Sequence, residues 1–392
     1  MLTACRRNTP PPPPSGMFGE PEEQLSPEDY DLADIQASGE LIAVTLSGPD
    51  TYYEYRGQGF GLQFDMAEAF ARSIGVRLRM EMAPDTAALL SRLKSGEADL
   101  IALEFDSLLL FTDTLAGSKA VPNPVRQFHP LRSRWLVRNE SRHLADAIDR
   151  WWHDDTRQRY IAAEQQRRTD ATRVRRRMRP QMLSPRGGVI SSYDDIFRRH
   201  AATIGWDWRL LAAQCYQESG FDPQAVSWAG AQGLMQIMPA TAAHLGLPRS
   251  EVYDPDRNIG AAAHYLHELT ELFADIRDPR ERINFVLAAY NGGHGHVRDA
   301  MTLARKHGHN PQRWEEVDPF ILALASPAYY RDPAVRFGYL RGSETSGYVR
   351  SIRTRWNVYR GAAQPTPVAR PGMPASKVRP RSDFLSDSIA RD

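Results

Sequence analysis

Between residues 41 and 103, short apolar runs suited to strands alternate with helical periods; from Ile190 to about residue 361 only the helical period remains. A change of period of this kind divides the chain into two layer architectures, because a strand pattern needs a sheet to bury it and a one-faced helix needs other helices. Leu41-Ile42-Ala43-Val44-Thr45-Leu46 reads as a strand that ends at Gly48-Pro49. Leu62, Met66, Ala69, Phe70 and Ile74 share a helix face closed by Gly75, residues 76–82 alternate like a second strand, residues 86–94 form a helix stopped by Gly96, and residues 99–103 form a third strand. The β-α-β-α-β order predicts a small parallel sheet covered by helices. The expected fold class is therefore multidomain, a small α/β lobe followed by a mainly α domain.

At 392 residues the chain has room for both domains and for linkers, and 42% apolar with 25% charged residues is an ordinary globular balance. The net charge of +1 gives no bias toward nucleic acid, and the excess of arginine over lysine reads as base composition. Cys5 and Cys215 are too few for a disulfide framework. His264 with His267, and His294 with His296, lack the spacing and third ligand of a zinc site, so neither metal nor cofactor is expected. No apolar run has the roughly 20 residues of a spanning helix.

Residues 1–38 read as a Pro-rich tether and 362–392 as a disordered tail. Leu2-Thr3-Ala4-Cys5 resembles a bacterial lipobox, which would make Cys5 a lipid anchor on the periplasmic side of the outer membrane. The α/β lobe is placed at 39–155. A basic, partly helical connector at 156–189, with Arg167-Arg168, Arg173, Arg175-Arg176-Arg177 and Arg179, reads as a solvated face, with anionic lipid or an acidic polymer as the alternative partner.

The helical half, 190–361, carries the chemistry. Asp207 is suited to cap a helix that runs through Leu210, Leu211, Gln214 and Cys215 to Glu218, with Gly220 at its left-handed end. Glu218 shares a face with Leu211 and Gln214. A carboxyl held against an apolar core loses hydration, which favours its protonated form and equips it to give a proton to a glycosidic oxygen.

Glu-Ser-Gly-Phe-Asp-Pro (218–223), Ser227, the run 230–239 around Gly233-Leu234-Met235-Gln236, Tyr253-Asp254-Pro255, Asn258-Ile259 and Ala-Ala-Tyr-Asn-Gly-Gly (288–293) resemble the lytic transglycosylase domain, a relative of goose-type lysozyme. The resemblance implies a lysozyme-like fold that acts on peptidoglycan strands. It makes Glu218 the lone acid/base, with Ser227, Met235 and Gln236 holding sugar substituents. Gly233 would let the backbone approach the sugar, Tyr290 and Asn291 would orient the substrate, and Tyr348 would stand near the acid. It further implies that the substrate's N-acetyl carbonyl attacks C1 and that the 6-hydroxyl then closes a 1,6-anhydro ring. Asp222, before Pro223, reads as a turn former. A non-catalytic peptidoglycan sensor and a lysozyme-type hydrolase remain as alternatives.

Residues 59–71, 74–76, 93–100 and 135–138 resemble the first lobe of periplasmic solute-binding proteins. Residues 104–131 are too few for the second lobe that such proteins insert there. The resemblance therefore implies a truncated lobe, a spacer or docking module rather than a ligand clamp.

Overall fold

The computed structural model describes residues 30–106, 123–177 and 189–361. The expectations for Cys5, the N-terminal tether up to residue 29 and the tail lie outside them. Among the described residues no helix is long and apolar enough to cross a membrane.

The first lobe is a five-stranded sheet between helices. Its strands are β1 (Glu40–Leu46), β4 (Arg77–Ala83), β5 (Leu100–Ile101), β6 (His129–Pro130) and β7 (Leu136–Val137), in the order β4-β1-β5-β7-β6. The first three are parallel, with Glu40 opposite Arg77 and Ala43 opposite Leu100, as the alternation predicts; β7 and β6 add antiparallel. The period of β1 sends Leu41 and Ala43 to one face, against Met66, Phe70 and Ile148. Val44 goes to the other, against Leu89 and Leu93. The helices that cover these faces are α2 (Leu62–Ser73) and α4 (Arg142–Trp151) on the first and α3 (Thr86–Ser95) on the second. Gly96 ends α3 in the left-handed conformation.

Two boundaries differ from the sequence reading. Residues 32–38, assigned to the tether, form helix α1 (Leu32–Ser38), closed by a capping box between Asp31 and Asp34 and anchored by the buried Ile35. The basic connector begins as helix α5 (Thr156–Arg177), whose Tyr160 and Ile161 pack on the first core and whose Arg157 pairs with Glu104. In both cases a few apolar contacts join the segment to the lobe, a signal too sparse to show as periodicity.

The second domain is helical: α6 (Asp194–Thr203), α7 (Trp208–Ser219), α8 (Pro239–His244), α9 (Pro255–Leu272), α10 (Pro279–Gly292), α11 (His294–Lys306), α12 (Trp314–Ala323), α13 (Pro327–Tyr330) and α14 (Gly342–Tyr359). Asp254-Pro255 and Asp278-Pro279 each place an Asp cap before a proline whose missing N–H is not needed in a first turn. Helix α7 lies in the middle, packed on α6 and α14, with Leu210, Leu211 and Cys215 buried.

One element was not foreseen. Tyr53–Tyr55 (β2) and Gln58–Phe60 (β3) form a hairpin, with Tyr55 paired to Gln58 across the turn Arg56-Gly57. Arg56 and Gly57 both have positive φ, 54° and 73°, as a type I′ hairpin turn requires. Gly59 lies within the second strand, where a Cβ would come 2.7 Å from the Tyr52 ring.

Candidate active site

Glu218 sits in the last turn of α7 as the sequence predicts. Asp207 caps the helix by accepting from the Arg209 N–H, and Gly220 closes it at φ 64°. These two caps fix where the helix stops and hence where the carboxylate emerges. The side chain is only 3% exposed. The Tyr348 hydroxyl, brought in by α14, donates to Oε1 at 2.6 Å. Burial first, then the adjacent carboxylate, holds the Tyr348 phenol far above its ordinary pKa, so it remains a donor.

The other expected residues form the wall and its support. Ser227 Oγ accepts from the Ala231 N–H at 2.9 Å and closes a turn. Gly233 has φ 78°, and a Cβ there would lie 2.4 Å from Asn258 Nδ2, so its bareness serves an interior contact. Asn258 in turn accepts from the Met235 N–H, and Tyr290 donates to the Met235 carbonyl at 2.8 Å. Met235 is buried, and its backbone is thus pinned from both sides. Gln236 donates through Nε2 to the Ala225 and Gly233 carbonyls and holds φ 51°, a left-handed value rare outside glycine. Asn291 Oδ1 accepts from Thr345, which ties α10 to α14. The structure therefore brings Gln236, Tyr290 and Tyr348 to the acid, and places Met235, Gly233 and Asn291 behind them. Asp222 is exposed and accepts from the Gln224 N–H within its own turn. Cys215 is buried against the Leu234 carbonyl, and that burial holds its thiol well above the ordinary range.

The phase of the helix turns the acid toward an apolar core, but in the structure its partner is a charged side chain. Arg56, at the tip of the first-lobe hairpin, reaches across the domain boundary. Its Nη2 donates to both oxygens of Glu218, at 2.9 and 3.1 Å, and its Nη1 to the Gln236 carbonyl at 3.2 Å. The Arg56 side chain is 10% exposed. Burial opposes its charge, but the carboxylate outweighs that effect and holds its pKa above the ordinary value. Behind Arg56, Tyr53, Tyr55 and Phe60 are buried with Ala229, Ala231 and Met238, flanked by Trp228 and Tyr339. Each such aromatic contributes about 1.5–3 kcal/mol by burial. Arg341 donates to the Tyr53 hydroxyl and lies over the Trp228 ring. A signal existed in the sequence: Tyr-Tyr-Glu-Tyr before Arg-Gly and Gln-Gly-Phe after it is an alternating pair of strands around a two-residue turn.

Both carboxylate oxygens are thus occupied by donors, Oε1 by Tyr348 and Arg56 and Oε2 by Arg56. Withdrawal of the hairpin would leave Tyr348 on Oε1 and free Oε2 for a new partner.

Residues 195–312 match the family model described as the transglycosylase SLT domain. The helical half of this chain carries an SLT domain. Glu218, Ser227, Gly233, Met235, Gln236, Tyr290 and Asn291 fall inside the match, while Tyr348 is supplied from beyond it. A protein named membrane-bound lytic murein transglycosylase F from Desulfosudis oleivorans is 26% identical over 427 residues, covering 83% of this chain and 90% of that one. Its namesake from Yersinia enterocolitica is 42% identical over 171 residues, 44% of this chain and 34% of its own. Among solved structures, the 70 kDa soluble lytic transglycosylase SLT70 from Escherichia coli is 28% identical, covers 43% of this chain and 25% of its own, and has a TM-score of 0.29. The sequence matches make the chain similar to proteins named lytic murein transglycosylases. The SLT domain is joined here to an α/β lobe whose hairpin pairs with its acid through Arg56.

Proposed function

We propose that the chain cleaves the β-1,4 bond between N-acetylmuramic acid and N-acetylglucosamine in peptidoglycan, with Glu218 as the sole acid/base. The observation that carries this reading is the carboxylate at the end of α7, buried and held by Tyr348, inside a matched SLT domain. Asp222 faces its own turn, so it does not serve as the second carboxylate of the usual glycosidase pair.

In the open form Glu218 gives its proton to the glycosidic oxygen as the C1–O bond breaks. The N-acetyl carbonyl of the muramic residue attacks C1 in place of a protein carboxylate. Glu218, now ionised, takes the proton from the 6-hydroxyl, whose oxygen forms the new bond to C1 and expels the carbonyl. One carboxyl handles both protons, and the product ends in a 1,6-anhydro ring. Tyr348 fixes the carboxyl rotamer through both steps. Gln236 and Tyr290, together with Ser227, are assigned to the substrate wall, and Met235 is assigned to its support from behind. The names of the relatives support a place at the cell envelope, and Cys5 is proposed as its lipid anchor.

A second reading is favoured by the Arg56 contact itself. A hairpin that never leaves would make this a non-catalytic binding protein. Mass spectrometry of purified sacculi after incubation separates the cases. Anhydro ends are expected; reducing ends would mean that water attacks, and no release from either the native chain or Arg56→Ala would overturn the enzyme reading. Glu218→Gln is expected to lower turnover by about 10²–10⁴-fold.

A further inference from the structure

The Tyr55 ring lies nearly parallel to the Trp228 indole, with centroids 5.8 Å apart and 19° between planes. Phe60 meets the same indole at a 4.9 Å centroid distance, tilted by 55°. Arg341 lies over the indole at 5.2 Å. Along the hairpin the next residue is Arg56, whose guanidinium is 5.6 Å from the Tyr55 ring and bonded to Glu218. A flat ring on an indole, followed at about one ring's spacing by a group on the acid, is the layout a glycan strand would adopt with one sugar stacked and the next at the cleavage point.

From this arrangement we propose that Trp228, with Arg341 beside it, is a saccharide-stacking subsite of the cleft, and that Tyr55 occupies it in the closed form in place of a pyranose ring. The ligand class is the peptide-free glycan backbone of N-acetylated hexoses. The chemistry fits on both sides. The apolar face of a pyranose packs on an indole much as another ring does, and the Arg341 guanidinium supplies donors for hydroxyl or carbonyl oxygens at the ring's edge. Trp228 follows Ser227 at the turn that Ser227 closes, so the indole is carried by a fixed piece of backbone. Hairpin and glycan then compete for the same surface, and the lobe blocks the cleft at two points, the acid and the platform.

This inference rests on the reading of the cleft as a glycan site, and the two fail in different assays. The platform is tested by calorimetric titration of the full chain with an N-acetylglucosamine hexamer. The background is Tyr55→Ala with Arg56→Ala, which removes both competing groups. Measurable binding is expected there, with weaker or no binding to the native chain. Adding Trp228→Ala is expected to weaken affinity about three- to tenfold, while Trp228→Phe keeps most of it. Unchanged affinity in Trp228→Ala, or no binding in the opened background while its melting transition is intact, overturns the platform. Tyr55→Ala alone serves if the double variant does not fold. Release of anhydro ends from sacculi by the same opened variant reports on the cleavage reading independently of the hexamer.

Discussion

Arg56 and Glu218 are 162 residues apart in the chain, yet Nη2 of one lies 2.9 and 3.1 Å from the two carboxylate oxygens of the other. Both side chains are at least nine-tenths buried. Removing one member of such a pair leaves the other charge unpaired, at a cost of about 3–5 kcal/mol to the closed form. Arg56→Ala is therefore expected to shift the chain toward the open cleft and to raise the initial rate of sacculus solubilisation about tenfold or more. A lower rate with the fold intact would mean that Arg56 takes part in turnover instead of blocking it.

Tyr348→Phe removes the hydroxyl that donates to Oε1 at 2.6 Å and leaves the ring in its packed site. A hydrogen bond to a charged group contributes about 1.5–3 kcal/mol, so kcat is expected to fall about ten- to hundredfold with KM little changed. Parallel kinetics on a soluble glycan fragment check the split; a rise in KM alone would place Tyr348 in binding.

His296 is buried on α11 beside Phe337, close to the backbone of Glu54 in the hairpin and of Gly338. Neither backbone makes a well-formed hydrogen bond to its ring nitrogens. Burial, reinforced by His294, lowers its pKa from 6.5 to about 4. The folded state then binds fewer protons than the unfolded one between those two values, so stability is full above about pH 6.5 and falls as the pH drops toward 4. The loss attributable to this group is up to about 3 kcal/mol. Thermal melting at pH 7 and pH 4.5 is expected to show a smaller drop in His296→Gln than in the native chain. Equal drops would remove His296 as the cause.

Gly233 combines φ 78° with a Cβ direction blocked by Asn258 and the Val252 carbonyl. Gly233→Ala is expected to destabilise the SLT domain by about 2 kcal/mol or more, lowering its urea midpoint. Gly230, also at positive φ but with nothing within 4 Å of a Cβ, is expected to lose only the conformational part, about 1 kcal/mol. Equal midpoints for the two alanine variants would show that the Asn258 contact is not what requires Gly233.

Much of the molecule is legible in the chain because its signals are local. The period of residues 41–46 and 62–74, the glycine stop at 96 and the caps Asp207 and Gly220 act within a few residues, and the structure places elements where they indicate. The acid was legible for the same reason, since a capped helix of known phase determines which face Glu218 occupies. The helix of residues 32–38 was not, because a single buried isoleucine and one capping box leave too little pattern.

The sequence by itself determined two architectures, an SLT-like constellation and a carboxylate at the end of a helix. Tertiary structure alone decided what that carboxylate touches. A hairpin turn can be read from alternating aromatics around Arg-Gly, but nothing in those residues says that their outer face will bury against Trp228 and Tyr339 of another domain. That choice depends on the complementarity of surfaces distant in sequence, and it converts an exposed-looking arginine into the partner of the acid.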